Sequence, residues 1–470
     1  MHIDRRAFLR RSLRTALGGV AITSLSGSLQ AMAAAAQVAH RGNFGDYRAL
    51  VCIFLHGGND SFNSVVPVSP SHHAAYLAAR PALAVPLAQA QALTLAPLPD
   101  GLPGDGASYG LHPALAPLHP LFQQQRLAIV ANVGTLLGPI TKAEYQANPA
   151  LAPPQLFSHS DQANFWQTSR PDDANADGWG GRIADLLHAA NPDSPLPMTL
   201  SLGSQSLFQR GSIVDQYVLP GCAGDYCAVD RIDYLGGWQN DLGTQTFEAL
   251  IADGVQAHVF ERAYGRATRR AIDNYQVLSG LLGTVPVWTT PFPTTHLGGQ
   301  LRQVANLISL RGPAALSMNR QIFHVNQGGY DTHDLQLGMH PVLLEQLAQA
   351  LAAFHAAMEQ LGIAEEVTTF TASDFGRTVS TNGDGTDHGW GGHHFVLGGA
   401  VRGGRFYGRM PSLAQHDNPD DAGYGQIIPT TGVDQYAATL ATWFGVPSGE
   451  IPTLFPRIGE YDSTDLGFME

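Results

Sequence analysis

Seven consecutive apolar residues, ALVCIFL from Ala49 to Leu55, end abruptly in the polar run His56-Gly57-Gly58-Asn59-Asp60. A strand with one wet face alternates apolar and polar side chains, so an unbroken apolar run belongs to a strand covered on both faces. That requirement narrows the fold to layered α/β, because helices on both sides of a sheet supply the cover. Further strands are predicted at 127–133 (LAIVANV), 197–202 (PMTLSL), 321–325 (QIFHV), 366–371 (EVTTFT) and 395–401 (FVLGGAV). In the stretch 341–361, Leu343, Leu344, Leu347, Leu351, Phe354 and Met358 recur at three and four, which predicts a helix with Pro341 in its first turn. A last helix is expected over 433–444, stopping at Gly445. The expectation is a doubly wound α/β domain over residues 37–470, its mostly parallel sheet clad by helices on both faces. A polar, turn-rich stretch at about 204–300 reads as a loop-rich insertion.

Composition agrees with a large core: 44% of the 470 residues are apolar and 14% charged, which excludes a mainly disordered or coiled-coil chain. The net charge is −13, and the first 36 residues carry five Arg against one Asp, so the remainder is more acidic still. Broad nucleic-acid binding and docking on an anionic membrane are therefore disfavoured. Residues 4–10, DRRAFLR, match a twin-arginine export motif, and a weakly apolar stretch runs from Ala16 to Ala36 with A-x-A cleavage sites at its end. Residues 1–36 read as a signal peptide too broken by Gly and Ser to anchor in a bilayer. The predicted location is periplasmic or secreted. Cys52, inside the first strand, reads as an inert buried thiol. Cys222 and Cys227 share a polar loop and fit a local disulfide in an oxidising compartment.

In open α/β sheets ligands bind beyond the carboxyl ends of strands, and the polar clusters of this chain fall there. Asp60 follows the first strand, Asp331 and His333 follow 321–325, and Asp374 follows 366–371. Asp387 and His388 come next, with His393, His394 and His340 nearby in sequence. Converging carboxylates repel one another unless a cation joins them. Mixed Asp/His donors suit Zn²⁺ or Mn²⁺, and an Asp-only site suits Mg²⁺. Ser158-His159-Ser160-Asp161 opens a helix. Ser158 reads both as an N-cap with Asp161 completing a capping box, and as a hydroxyl poised for nucleophilic attack on an anion held at a helix N-terminus. Arg377 could clamp that anion bidentately, or form a structural ion pair. No G-x-S-x-G elbow, P-loop or dinucleotide fingerprint is present in the sequence. Paired carboxylates would also suit a carbohydrate-active enzyme, a reading that leaves the histidines beside them without a role.

The ordered motifs LHGGNDSFNSVVP, LHPALAPL, FSHSDQ, DGWGGR, GGYDTH, SDFGRT, DHGW, GGAVRGG and DQYAATLATWFG resemble the exported bacterial domain-of-unknown-function family numbered fifteen-oh-one. That family is placed in the alkaline phosphatase and sulfatase superfamily. The resemblance implies an alkaline-phosphatase-like fold and metal ligands at Asp60, Asp331, His333 with His340 as its rival, Asp374, and His388 with His393 as its substitute, and makes Ser158, or Ser160, the nucleophile. The implied activity is metal-dependent hydrolysis of small anionic phosphate or sulfate esters. Two departures stand out: Asp331 and His333 are two apart where the superfamily often has four, and Phe375 stands where a histidine often follows the second aspartate. They give weight to the alternative, an inactive exported binding or assembly protein that keeps the fold.

Overall fold

A computed structural model describes residues 44–219, 242–252 and 258–470. The expected signal peptide and the Cys222–Cys227 pair lie outside the described residues. The strands are β1 (Arg48–Leu55), β2 (Val65–Pro67), β3 (Tyr109–Leu111), β4 (Leu127–Gly134), β5 (Thr199–Leu202), β6 (Tyr217–Leu219) and β7 (Arg320–Gln327). They continue with β8 (Val367–Ser373), β9 (Arg377–Thr381), β10 (Thr386–His388), β11 (Gly392–Gly398), β12 (Arg405–Tyr407) and β13 (Thr431–Gly432). The central sheet runs β12-β4-β11-β8-β1-β7-β5-β6, with β13 also paired to β4. Every pairing in it is parallel except those of β11, which runs against both β4 and β8. The result is an α/β fold with a large, mostly parallel sheet.

β1 lies between β7 and β8, and its side chains alternate between two apolar cores. Ala49, Val51, Ile53 and Leu55 enter the core shared with the helices His296–Ser309 and Gln336–Gln360. Leu50, Cys52 and Phe54 enter the other, with the helices Trp179–Leu187 and Val433–Phe444. Each of these seven residues is at most 2% exposed. Two-sided burial explains why the strand shows no alternation in sequence. Leu55 pairs in register with Gln327 on one side and Ser373 on the other, so three strands end level with one another.

Several expectations need correction. The strand expected at 395–401 is β11, three residues earlier and antiparallel. The helix expected at 341–361 begins at Gln336, so Pro341 stands beyond its first turn. The carbonyl that this proline cannot satisfy belongs to Leu337, an exposed residue. The 204–300 stretch is not loop-rich where it is described: it holds the helices Leu242–Ile251 and Val259–Leu281. The longer of these has 23 residues yet buries only Gly265, Ile272, Asn274 and Leu278. So narrow a buried stripe, with Arg and Tyr around it, hid the helical period. The last helix runs Val433–Phe444 as expected, closed by Gly445 at φ +115°.

Truncating Phe54, 1% exposed, leaves a cavity between β1 and the Val433–Phe444 layer. Phe54→Ala is expected to cost about 3–5 kcal/mol in urea unfolding. Burial also pushes the Cys52 thiol far above its ordinary pKa. Its peptide should therefore stay unalkylated by iodoacetamide in the native protein and become labelled only on unfolding.

Candidate metal centre

The level strand ends deliver the polar residues to one place. β1 releases His56, β7 leads to Asp331 and His333, and β8 leads to Asp374. The β9–β10 hairpin carries Asp387 and His388, and the helix His159–Thr168 starts at His159. Gly57, at φ +114°, makes the approach possible. A Cβ there would lie 2.3 Å from the Asp331 backbone nitrogen, while its own N–H donates to Asp374 Oδ2 at 3.0 Å.

Three imidazoles turn their Nε2 atoms toward Asp331 Oδ1: His159 at 3.4 Å, His333 at 3.0 Å and His388 at 3.3 Å. Their Nδ1 atoms are committed elsewhere. His159 Nδ1 donates to Asp374 Oδ2 at 2.6 Å, His333 Nδ1 to Asp387 Oδ1 at 3.1 Å, and His388 Nδ1 to the Phe157 carbonyl at 2.6 Å. Each acceptor is an oxygen that cannot donate, so the proton of a neutral ring sits on Nδ1 and the Nε2 lone pair faces inward. The Nε2 atoms of His333 and His388 are 2.9 Å apart, and two such lone pairs repel without a proton or cation between them. His159 Nε2 is buried with no hydrogen-bond partner. Ligand atoms of His159, Asp331 and His388 all lie within 4.8 Å of one another. Donors about 2.0–2.1 Å from a tetrahedral Zn²⁺ stand roughly 3.3 Å apart, close to the separations of His159 and His388 from Asp331. The outer oxygens on Nδ1 are the kind of partner that orients metal-bound histidine. These residues fit a divalent cation.

The hydrogen bond and charge of Asp374, helped by Asp331, outweigh burial and hold His159 above its ordinary pKa, so a proton and a cation compete for its Nε2. Burial holds His388 below its own, in the neutral form that binds metal. Burial would raise Asp331, but the hydrogen bond and charge of Arg377 reverse the sign and keep it ionised.

Not every expected residue joins this cluster. Asp60 is fully buried and accepts from Arg80 Nη1 at 2.9 and 2.7 Å through its two oxygens, and from Gln336 Nε2 at 2.5 Å. With its oxygens engaged by a buried guanidinium, it is a structural anion and not a convergent ligand. Arg377 is likewise buried: Nη1 donates to Asp331 Oδ1 at 2.8 Å, Nε to Thr386 Oγ1 at 3.2 Å, and Nη2 to the Thr386 carbonyl. It forms the structural ion pair and does not present a free fork to an anion. Asp374 stands one hydrogen bond behind His159, its Oδ1 buried without a partner and 3.9 Å from His56 Nδ1. His340 is buried against Asn59 Oδ1 at 3.0 Å, and His393 accepts the Asn132 N–H at 3.1 Å, so neither rival reaches the cluster. Desolvation pushes both down to about 4. His394 is also buried, beside Thr371 Oγ1 at 3.3 Å.

Ser158 is the N-cap of the His159–Thr168 helix but makes no side-chain cap, so the capping box does not form. Its hydroxyl donates instead to Asp161 Oδ2 at 2.5 Å, with Ser160 Oγ 3.3 Å away. Phe375 packs on the rings of His159 and His388 at 4.8 and 4.7 Å, so an apolar wall stands where a further imidazole was looked for. The sequence reading missed His159 and His56. SHSDQ drew notice for its hydroxyls, and HGGND for its aspartate, although His56 is the first residue past the strand.

Residues 312–431 match a family described as a protein of unknown function, DUF1501. The match contains GGYDTH, SDFGRT and DHGW, and supports the resemblance that those motifs carry. No curated protein matches the sequence. Among solved structures the chain is similar to Ps i-CgsB in complex with k-i-k-neocarrahexaose, at 9% identity over 87% of this chain and 74% of that one, with a TM-score of 0.33. It is also similar to the C-terminal periplasmic domain of EcEptC from Escherichia coli, at 11% identity over 90% and 88%, with a TM-score of 0.32. Both scores are too low to establish a shared fold.

Elemental analysis after Zn²⁺ or Mn²⁺ loading and desalting should find bound metal in the wild type and none in His159→Ala. Asp374→Asn keeps a side chain of the same shape but a weaker acceptor for His159 Nδ1. It should weaken metal affinity about 10–100-fold by competition with a chelator.

Proposed function

We propose that the protein is an exported, metal-dependent hydrolase of phosphate or sulfate esters with an alkaline-phosphatase-like architecture. The observation that carries this reading is the convergence of three oriented imidazoles on Asp331, at the carboxyl edge of a mostly parallel sheet. His159, Asp331 and His388, with His333 beside them, would hold the cation. Asp374, Asp387 and the Phe157 carbonyl keep the rings aimed. A divalent ion bound there, Zn²⁺ or Mn²⁺ by its donors, supplies Lewis acidity toward an anionic ester oxygen.

The chain's own part is binding and attack. Ser158 adjoins His159 at the start of a ten-residue helix, whose free N–H groups and dipole favour an anion. Its Oγ forms the new bond to phosphorus or sulfur as the ester oxygen departs, and Asp161 is placed to take the hydroxyl proton. Water then hydrolyses the serine ester. The twin-arginine motif supports export of the folded, loaded protein to the periplasm or beyond. Among the described residues no helix is long and apolar enough to cross a membrane.

A second reading, a binding or assembly protein that keeps the fold without turnover, draws on Phe375 and on Arg377, whose donors are engaged inside the protein. The two diverge in one assay: release of aryl alcohol from aryl phosphates and aryl sulfates by the metal-loaded mature protein. The hydrolase reading expects turnover that falls at least about 1000-fold in Ser158→Ala and less than about tenfold in Ser160→Ala. Metal bound with no turnover on either ester class would favour the binding protein.

A further inference from the structure

Asp60 and Asp331 were both expected as ligands, yet the structure puts Asp331 in the cluster and Asp60 in the interior. A continuous line of hydrogen bonds joins them. Arg377 Nη1 donates to Asp331 Oδ1 at 2.8 Å. Arg377 Nε donates to Thr386 Oγ1 at 3.2 Å, and the Thr386 hydroxyl donates to Gln336 Oε1 at 2.7 Å. Gln336 Nε2 donates to Asp60 Oδ2 at 2.5 Å, and Arg80 closes the line on Asp60. Gln336 and Asp60 are at most 1% exposed, as are Thr386, Arg377 and Arg80.

The line has one polarity. Arg377 can only donate, so Thr386 Oγ1 must accept and pass its own proton onward. Gln336 must then face Thr386 with its carbonyl and Asp60 with its amine, because an ionised carboxylate only accepts. Asp60 is thus the anionic terminus that fixes every donor direction back to Asp331. The backbone also goes out of its way to place Gln336. Leu335, just before it, adopts φ +52°, costly for a side chain with a Cβ, and is 65% exposed. Asp384, in the β9–β10 turn, accepts the N–H groups of both Leu335 and Gln336.

We propose that Gln336 and Thr386 are positioning residues: through Arg377 they hold the Asp331 carboxylate in its metal-binding orientation, with Asp60–Arg80 as the fixed end of the line. The metal consequence rests on the proposed centre, whereas the fixing of Arg377 does not. Thr386→Val keeps the shape and removes the hydroxyl. Gln336→Glu keeps the shape and turns an acceptor on Asp60. Thr386→Ser restores the hydroxyl, and Thr381→Val removes a hydroxyl of the same hairpin that lies outside the line, donating to Gly385 O and accepting the Gly383 N–H.

Two readouts are taken on the full mature chain: Zn²⁺ affinity by chelator competition, and hydrogen exchange of the Arg377 Nε–H by NMR, its signal identified by loss in Arg377→Lys. Thr386→Val and Gln336→Glu should each weaken Zn²⁺ binding about 10–100-fold and abolish protection of the Nε–H. Thr386→Ser should restore both, and Thr381→Val should change neither. Unchanged affinity in a folded Thr386→Val, or equal losses in Thr381→Val, would overturn the proposal. If Thr386→Val does not fold, Gln336→Glu decides on the same two readouts. If the wild type takes up no Zn²⁺, the metal reading falls and the exchange data alone decide. Protection in wild type and Thr386→Ser, lost in Thr386→Val or Gln336→Glu, upholds the line; an unprotected Nε–H in wild type ends it.

Discussion

Two-sided burial of β1 is the constraint on which the rest of this molecule depends. A strand enclosed by helices on both faces and by β7 and β8 on both edges has no place for a polar side chain along its length. Polar residues can appear only where the strand ends. Because β1, β7 and β8 finish in register, the chain leaves all three at one level. His56, Asp331 and Asp374 are neighbours for that reason, although 275 and more residues of chain separate the first from the others.

The residues assembled there pose a charge problem with a built-in answer. Asp331, Asp374 and Asp387 bring negative charge to the mouth, and three imidazoles face it with their basic nitrogens inward. Arg377 keeps Asp331 ionised from behind, and the outer carboxylates and the Phe157 carbonyl keep the ring protons on the far side. The divalent cation proposed for this site would satisfy all of these groups together. Burial of the other histidines sorts them out of the set: His340, His393 and His394 lie in the interior, where desolvation holds them neutral and packing holds them away.

Much of the fold was legible. The strand periods, the Val433–Phe444 helix and the parallel character of the sheet come from apolar runs and their spacing. The 23-residue helix inside the supposed loop-rich insertion was not legible, because a helix that buries four residues leaves almost no period. The reversal of β11 was not either, since an apolar run carries no direction. At the site, strand ends marked Asp331, Asp374 and His388 correctly as residues of one place. His159 was hidden behind the two serines that flank it, and Asp60 looked like a ligand because sequence cannot show that Arg80 folds back onto it.

The sequence by itself determined that this chain forms a sheet buried on both faces with its polar residues gathered at strand ends, since burial and periodicity are local and additive along the chain. Only the tertiary structure decided which of those residues meet. Asp60 is a structural anion because Arg80 covers both its oxygens in the interior, whereas Asp331, held by Arg377 through Oδ1, also faces three imidazoles. Those guanidiniums arrive from Arg80 and Arg377, 20 and 46 residues from the aspartates they hold, at distances that folding alone sets.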